Sequence, residues 1–382
     1  MSRFPIDPRA YFGHRVSSVP SLGVEEEYQL VDRESGRLTP DCKTILGRVA
    51  GTTESEIQHE LHLNQIEMAS PVCETLDDAR GHLQQCRRVI GAAAKKCGAE
   101  LASAGTHPME VPVDDDLAPK ERYRAMVERY QSLARDLYIF GCHVHVSMPD
   151  RNVGVGVMNR CRVWLPLLQA LTANSPFWDG EDTGYDSYRR ELWVQWPMAG
   201  PPPRFDSAKD YDAAVQRLVE AEAIRDATHV YWDIRLPDKV PTIEFRAADA
   251  ITDVDDTVGY CGLVRAMVMA ATDDHHAGVD VPEVDDAVLR YALWHAARYG
   301  TGPRLCDAVA GRPAPMQSLV DRLLDWIGPS LDRSGDGEAV HTFVERTMKH
   351  GNGAKFQRRR AGDGRDWRRL VTELVAATSV GR

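Results

Sequence analysis

The stretch Leu22-Gly23-Val24-Glu25-Glu26-Glu27-Tyr28-Gln29-Leu30 alternates along its length. Successive side chains of a strand point to opposite faces. The segment therefore divides into one face of Glu25, Glu27 and Gln29 and another of Leu22, Val24, Tyr28 and Leu30, interrupted only by Glu26. The second face suits a core. The first is either a solvated edge or a place where chemistry is done, and the strand by itself fits both.

Four more segments bear on the choice. In Glu60-Leu61-His62-Leu63-Asn64-Gln65-Ile66-Glu67-Met68 the polar positions run 60, 62, 64 and then 65, 67, so the alternation slips once. A β-bulge produces such a slip, and bulges gather beside active sites because they re-aim side chains; a loop break would slip the phase equally well. With a bulge, Glu60 and Glu67 share the polar face. Gly141-Cys142-His143-Val144-His145-Val146-Ser147 sets His143, His145 and Ser147 against Cys142, Val144 and Val146, and two histidines at i and i+2 can both reach a metal ion. The segment from Thr242 sets Glu244 and Arg246 against Ile243 and Phe245, and the one from Val230 sets Tyr231, Asp233 and Arg235 against Trp232, Ile234 and Leu236.

A sheet face that concentrates Glu25, Glu27, Glu60, Glu67 and Glu244 repels itself unless cations neutralise it. Carboxylate ligation selects hard ions, Mg²⁺ or Mn²⁺. Several such ions imply phosphates, and Arg235 and Arg246 offer forked guanidinium groups to clamp an anion. The chemistry this suggests is phosphoryl transfer from a nucleotide. No GxxxxGK[ST] run is present, so metals and arginines would hold the phosphates in place of a Walker loop.

The rest of the chain is consistent with a folded enzyme. At 382 residues it is about two and a half typical domain lengths. The net charge of −11 opposes the basic footprint that nucleic acid or anionic membrane surfaces require. No run reaches the roughly 18 apolar residues of a membrane span, and the start, MSRFPIDPRAYFGHR, lacks the apolar segment of a secretory signal, so a cytoplasmic location is expected. The eight cysteines show no paired spacing and read as reduced, buried small hydrophobes; only Cys142, beside His143, has a neighbour suited to a reactive thiol.

After an N-terminal arm over 1–21, helical periodicity predicts a helix from Thr75 as N-cap to about Cys97, a second from Tyr123 to Leu137 and a third from about Gly156 to Thr172. Further helices are predicted near Asp210 to Ala223 and then at Asp255 to Ala271, Asp286 to Tyr299, Met316 to Ile327, Gly337 to His350 and Asp366 to Ala376. Strands concentrate before residue 250 and helices after it, with no repeat, low-complexity tract or linker. The expectation is one α+β domain over 1–382, closing in a basic segment over 351–382.

The motifs together are similar to those of a known family. Gly23-Val24-Glu25-Glu26-Glu27, Ile66-Glu67-Met68-Ala69-Ser70-Pro71, Gly105-Thr106-His107-Pro108 and Gly141-Cys142-His143-Val144-His145-Val146 carry the first part of the likeness. Ala173-Asn174-Ser175-Pro176-Phe177-Trp178, Asp182-Thr183-Gly184-Tyr185, Tyr231-Trp232-Asp233-Ile234-Arg235-Leu236, Thr242-Ile243-Glu244-Phe245-Arg246 and Gly351-Asn352-Gly353-Ala354 carry it over nearly the whole chain. The sequence resembles the carboxylate-amine ligases of the glutamate-cysteine ligase type 2 group. The resemblance implies a fold of the glutamine synthetase catalytic type, a curved antiparallel sheet with helices behind it. It implies that ATP phosphorylates the γ-carboxylate of glutamate and that an amine such as cysteine attacks the acyl phosphate. By the same resemblance Glu25, Glu27, Glu60, Glu67, His143 and Glu244 bind two or three Mg²⁺ ions, and Arg246 stabilises charge on the transferring phosphoryl group. Arg235, Arg189, His145 and Asn64 are the candidates for contacts to substrates or ATP. His145 departs from the asparagine common at its place. A homodimer is a family-level expectation, and the partners are small molecules.

Two other functions fit a sheet of this kind: a phosphagen-kinase-like phosphotransferase and a non-catalytic sensor of ATP and Mg²⁺. The basic stretch Lys355 to Arg369 reads either as a solvated surface or mobile tail, or as a lid over phosphates. Trp164, Trp178, Trp193, Trp196 and Trp232 read as core or pocket wall.

Overall fold

A computed structural model describes residues 19–109 and 117–380; residues 1–18 of the expected N-terminal arm lie outside them. The alternating segment is a strand, β1 (Leu22–Asp32), as its periodicity requires. Around it stand β2 (Glu56–His59), β3 (Gln65–Ala69), β4 (Ala99–Ala102), β5 (Gly141–Ser147), β6 (Ile234–Arg235) and β7 (Thr242–Asp249). The seven form one antiparallel sheet in the order β6-β7-β5-β1-β3-β2, with β4 pairing the far end of β1. β1 is central: on its polar face Glu25 pairs with Ala69 on one side and His143 on the other, while Glu27 pairs with Glu67 of β3.

The apolar face of the sheet is core. Leu22, Val24, Tyr28 and Leu30 of β1, Val144 and Val146 of β5, and Ile243 and Phe245 of β7 are all buried there. Helices cover this face, chiefly Leu76–Lys95 and Val254–His276. The first begins as its sequence predicts: the Thr75 side chain accepts from the Asp78 N–H at 3.1 Å while Asp78 accepts from the Thr75 N–H at 2.9 Å, a reciprocal cap. The second is buried on nearly all sides. Its Gly262 lets two neighbours close in, since a Cβ there would meet Leu76 Cδ1 and Val340 Cγ2 at 2.9 Å. The core side of β1 admits one charge: Glu26, wholly buried, receives Arg87 Nε at 3.0 Å and Nη2 at 2.7 Å, the Thr257 hydroxyl at 2.8 Å, and the Tyr28 hydroxyl.

The structure corrects several expectations. The slip between Asn64 and Gln65 is the loop break, because residues 60–64 connect β2 to β3 as a hairpin. The sheet does carry an irregularity beside the site, on β7, where the register shifts between Phe245 and Ala248. The helix expected over Tyr123 to Leu137 is divided into Glu121–Tyr130 and Ser132–Arg135 by Gln131, whose φ is 52°. The helix expected from Gly156 begins at Arg151, because the Asp150 side chain caps the N–H groups of Asn152 and Val153. It yields to a 3₁₀ turn before Leu165–Thr172, which has Pro166 in its first turn. A hairpin, Arg304–Asp307 with Arg312–Pro315, interrupts the helical C-terminal third.

The basic segment is ordered as two helices, Gly353–Ala361 and Trp367–Thr378. Arg358 reaches Asp182 at 2.9 Å and Asp186 at 2.5 Å, and the Gln357 amide donates to the Asn174 carbonyl at 2.8 Å. The segment is thus packed on one side, while Arg359, Arg360, Arg365, Arg368 and Arg369 are exposed, as the solvated-surface reading expects.

Candidate active site

Antiparallel register assembles the polar face, since residues directly opposite one another project to the same side. Glu27 stands opposite Glu67, and Glu67 opposite Gln58. Glu25 stands opposite His143, His145 opposite Glu244, and Glu244 opposite Arg235. Five strands thus deliver a continuous row of carboxylates, imidazoles and guanidinium groups to one surface. They border a cavity of about 240 Å³ lined by Glu25, Glu27, Glu60, Glu67, His143, Arg189, Arg235 and Arg246 among others.

Cations meet the acids unevenly. Glu244, wholly buried, accepts from Arg235 Nε at 2.6 Å and Nη2 at 3.1 Å and pairs with Arg246. Burial opposes its ionisation, but the two guanidinium charges hold its carboxyl well below the usual range. Glu25 has His143 Nδ1 at 3.0 Å and His145 Nε2 at 3.3 Å; against the burial penalty, these imidazoles also hold it low. The other end of the row has less to balance it. Burial and the charge of Glu60 push Glu27 up to about 7, although the Gly141 N–H donates to it at 2.6 Å. Burial and the charges of Glu60, Glu25 and Glu27 push Glu67 well above its ordinary value, with only the Gln58 amide, at 2.8 Å, as a hydrogen-bonding partner. His143 is held down to about 4 by burial and by the charge of Arg246, so at neutral pH it has a lone pair to offer.

That pattern fits divalent metal. Ligand atoms of Glu25, His143 and Glu244 lie within 4.8 Å of one another, as do those of Glu27, Glu67 and His143. Each group joins two carboxylates to one imidazole, a donor set for a divalent ion, and the under-neutralised carboxylates, Glu27 and Glu67, are those a cation would relieve.

The sequence candidates fall into three classes. Glu25, Glu27, Glu67, His143 and Glu244 come together as potential ligands. Glu60, Arg189, Arg235 and Arg246 line the cavity outside the two ligand groups; Glu60 accepts from the Tyr123 hydroxyl at 3.4 Å, and Arg189 sits 3.8 Å from the buried Asp249. Gly141 leaves room for that arginine, because a Cβ there would collide with its guanidinium. His145 stands behind Glu25, with Nδ1 3.0 Å from Thr242 Oγ1, and Asn64 is buried in the β2–β3 connection with its carbonyl receiving the Leu30 N–H; neither lines the cavity. Sequence reasoning did not find Gln58, Arg122 or Tyr123. Gln58 sits on a strand too short to show a period, and the other two arrive on a helix remote in sequence. Trp193 and Trp196 are pocket wall, as expected. Cys142 faces the core, where burial raises its thiol pKa well above normal, so it is no nucleophile.

The architecture places the chain in a structural class. It superposes on a glutamate-cysteine ligase from Francisella tularensis, solved in complex with AMP, with a TM-score of 0.70 at 14% identity, covering 95% of this chain and 90% of that one. It also matches a bifunctional glutathione synthetase from Pasteurella multocida with a TM-score of 0.67 at 15% identity, covering 95% of this chain but only 52% of that longer one. At these identities the likeness is one of fold.

Sequence carries the assignment further. Residues 21–373 match glutamate-cysteine ligase family 2, and the chain belongs to that family. A Rhodopirellula baltica protein provisionally named glutamate-cysteine ligase 2 is 54% identical over 94% of this chain and 97% of its own length. One from Mycolicibacterium vanbaalenii, provisionally named glutamate-cysteine ligase 2-2, is 42% identical over 95% and 99%. The protein is an enzyme of the C–N bond-forming ligase class. Among the described residues no helix is long and apolar enough to cross a membrane.

Proposed function

We propose that the protein is an ATP- and Mg²⁺-dependent carboxylate-amine ligase that activates the γ-carboxylate of glutamate as an acyl phosphate and joins it to an amine such as cysteine. The observation that carries this reading is the pair of three-residue ligand groups sharing His143 beside a cavity that also holds Arg246, Arg235 and Arg189. We further read the chain as one ligase domain acting on small molecules in the cytoplasm.

Glu27, Glu67 and His143 or Glu25, Glu244 and His143 would hold Mg²⁺, His143 serving one of the two groups with its single lone pair and the carboxylates alone serving the other, with Glu60 adding negative charge to the same wall. Bound there, Mg²⁺ would neutralise nucleotide phosphates and favour transfer of the γ-phosphoryl group. A γ-carboxylate oxygen attacks that phosphorus and ADP departs; the amine nitrogen then attacks the acyl carbon, phosphate leaves, and the nitrogen loses a proton. Arg246, tied to Glu244 and facing the cavity, stabilises the charge that builds on the phosphoryl oxygens. Arg235 grips Glu244 with two donors and keeps it ionised. Arg189, buried in the wall, is suited to an anionic substrate group. Trp193, Trp196 and Tyr231 exclude water that would hydrolyse an acyl phosphate.

The test is mass spectrometry of a reaction containing ATP, Mg²⁺, glutamate and a panel of amines including cysteine, with ADP followed in parallel. A γ-glutamyl amide formed in step with ADP is the expected result. A phosphorylated product without amide would indicate the phosphotransferase, and ATP binding with no ADP under any substrate pair would indicate the sensor; either defeats the proposal.

A further inference from the structure

A second cavity, of about 290 Å³, lies where the segment leaving β7 meets the C-terminal helices, and it shares no lining residue with the acidic cavity. Its volume sits near the lower end of small-molecule sites, which begin at roughly 300 Å³ and join apolar walls to a few placed polar groups. The apolar part comes from Ile251, Phe343 and Phe356. The charged part is arranged asymmetrically. Asp253 and Asp256 are both engaged by Arg346, whose Nη1 lies 3.3 Å from Asp253 Oδ2 and whose Nε lies 3.0 Å from Asp256 Oδ1. Both acids also stand at the start of the Val254–His276 helix, where its dipole offsets their charge. Arg359, by contrast, is exposed and donates to the His350 carbonyl at 2.8 Å, and among the described residues it forms no ion pair. It belongs to the stretch Lys355 to Arg369, which holds seven cations against two acids in a chain whose net charge is −11.

A largely apolar interior whose two acids are both held by Arg346 and the helix start, opening beside a guanidinium that forms no ion pair among the described residues, selects a particular ligand chemistry. We propose that this cavity is a second ligand site, taking a small organic monoanion whose apolar body packs against Phe343 and Phe356 while its acid group meets Arg359. The site is separate from the catalytic cavity but structurally close to its wall. The N–H of Asn174, which lines the second cavity, donates to Asp249 Oδ2 at 2.7 Å, and Arg189 of the catalytic cavity lies 3.8 Å from that carboxylate. The inference does not depend on which carboxylate and amine the enzyme joins.

Anilinonaphthalene sulfonate, an aromatic monoanion whose fluorescence rises in apolar surroundings, is the probe. The full-length chain is titrated with it alone and again with saturating ATP, Mg²⁺ and glutamate. One saturable site per chain is expected, unchanged by the catalytic substrates. Arg359→Glu should weaken the probe about tenfold, as loss of a charge-assisted contact does. Ala377→Trp, a substitution at an exposed position on the cavity lining, should abolish the site. Both variants alter exposed side chains, and their melting temperatures should match the parent. Displacement of the probe by ATP or glutamate, equal affinity in the parent and both variants, or the absence of saturable binding would each overturn the proposal.

Discussion

Glu26 and its two neighbours occupy consecutive positions on one strand and live in opposite electrostatic worlds. Glu26 points into the core, where Arg87, Thr257 and Tyr28 supply hydrogen-bond donors and the protein's own guanidinium balances its charge. Glu25 and Glu27 point into the cavity, where protein cations serve Glu25 and Glu244 but leave Glu27 and Glu67 to repel each other and Glu60. A buried carboxylate neutralised by the chain contributes to one folded structure. A cluster left short of positive charge is a site that awaits a ligand, and it costs stability until the ligand arrives.

Breaking the core side should produce the largest effect. Arg87→Met leaves the Glu26 carboxylate buried without a counter-ion and should cost about 3–5 kcal/mol, read by urea denaturation. Adding Glu26→Leu to that variant should recover most of the loss; a double variant as unstable as the single one would show that Arg87 acts through packing alone. On the cavity side the outcome should invert. Glu67→Gln should lower kcat/KM by on the order of 10²-fold while the fold keeps or gains stability, and near-parental turnover would remove Glu67 from the ligand set. Arg235→Lys is milder, because it replaces a forked contact to Glu244 by a point charge. About a tenfold rise in the Mg²⁺ concentration for half-maximal activity is expected, with little change in stability.

The smallest effect sharpens the contrast by pH. Without metal, folded Glu27 keeps its proton up to about 7, whereas its ordinary value is 4.5. Between those values the folded state binds more protons than the unfolded chain, so this group's contribution to stability falls as pH rises. Glu27→Gln removes that fall. Relative to the parent, the variant's melting temperature should climb by on the order of a few degrees across the window in metal-free buffer, and Mg²⁺ should erase the gain. A difference that stays flat with pH would mean that Glu27 is not under-neutralised.

Most residues of the candidate site were legible because they sit on strands whose two-residue period sorts them by face, and antiparallel register then needs only to line the strands up; Glu60 and Arg189 lie off the strands. Helices with local signals were equally legible: Asp286–Tyr299 and Gly337–His350 occupy their expected bounds, and Thr75 caps its helix as expected. What stayed hidden was set at long range or against local preference. Gln131 adopts a positive φ that its residue type does not announce. The helix expected to end at Ile327 runs to Ser334 through Pro329. The β2–β3 turn has only Asn64 as a turn-former, so its phase slip resembled a bulge. Arg87 looked like one more polar position on an amphipathic helix, since its partner lies 61 residues away. Gln58, Arg122 and Tyr123 reach the cavity only once the chain is folded.

The Glu26–Arg87 pair also bears on how the strand finds its alignment during folding. Three glutamates in succession invite slippage, since any of them could face the helix. Yet a shift of β1 by one residue exchanges its faces, turning Gly23, Glu25, Glu27 and Gln29 toward the core in place of Leu22, Val24, Glu26 and Tyr28. Two carboxylates would then compete for one guanidinium, and the second would be buried unpaired. A single arginine placed opposite the middle glutamate thus works as a register lock, which rejects the misaligned strand before any metal or substrate is present to judge it.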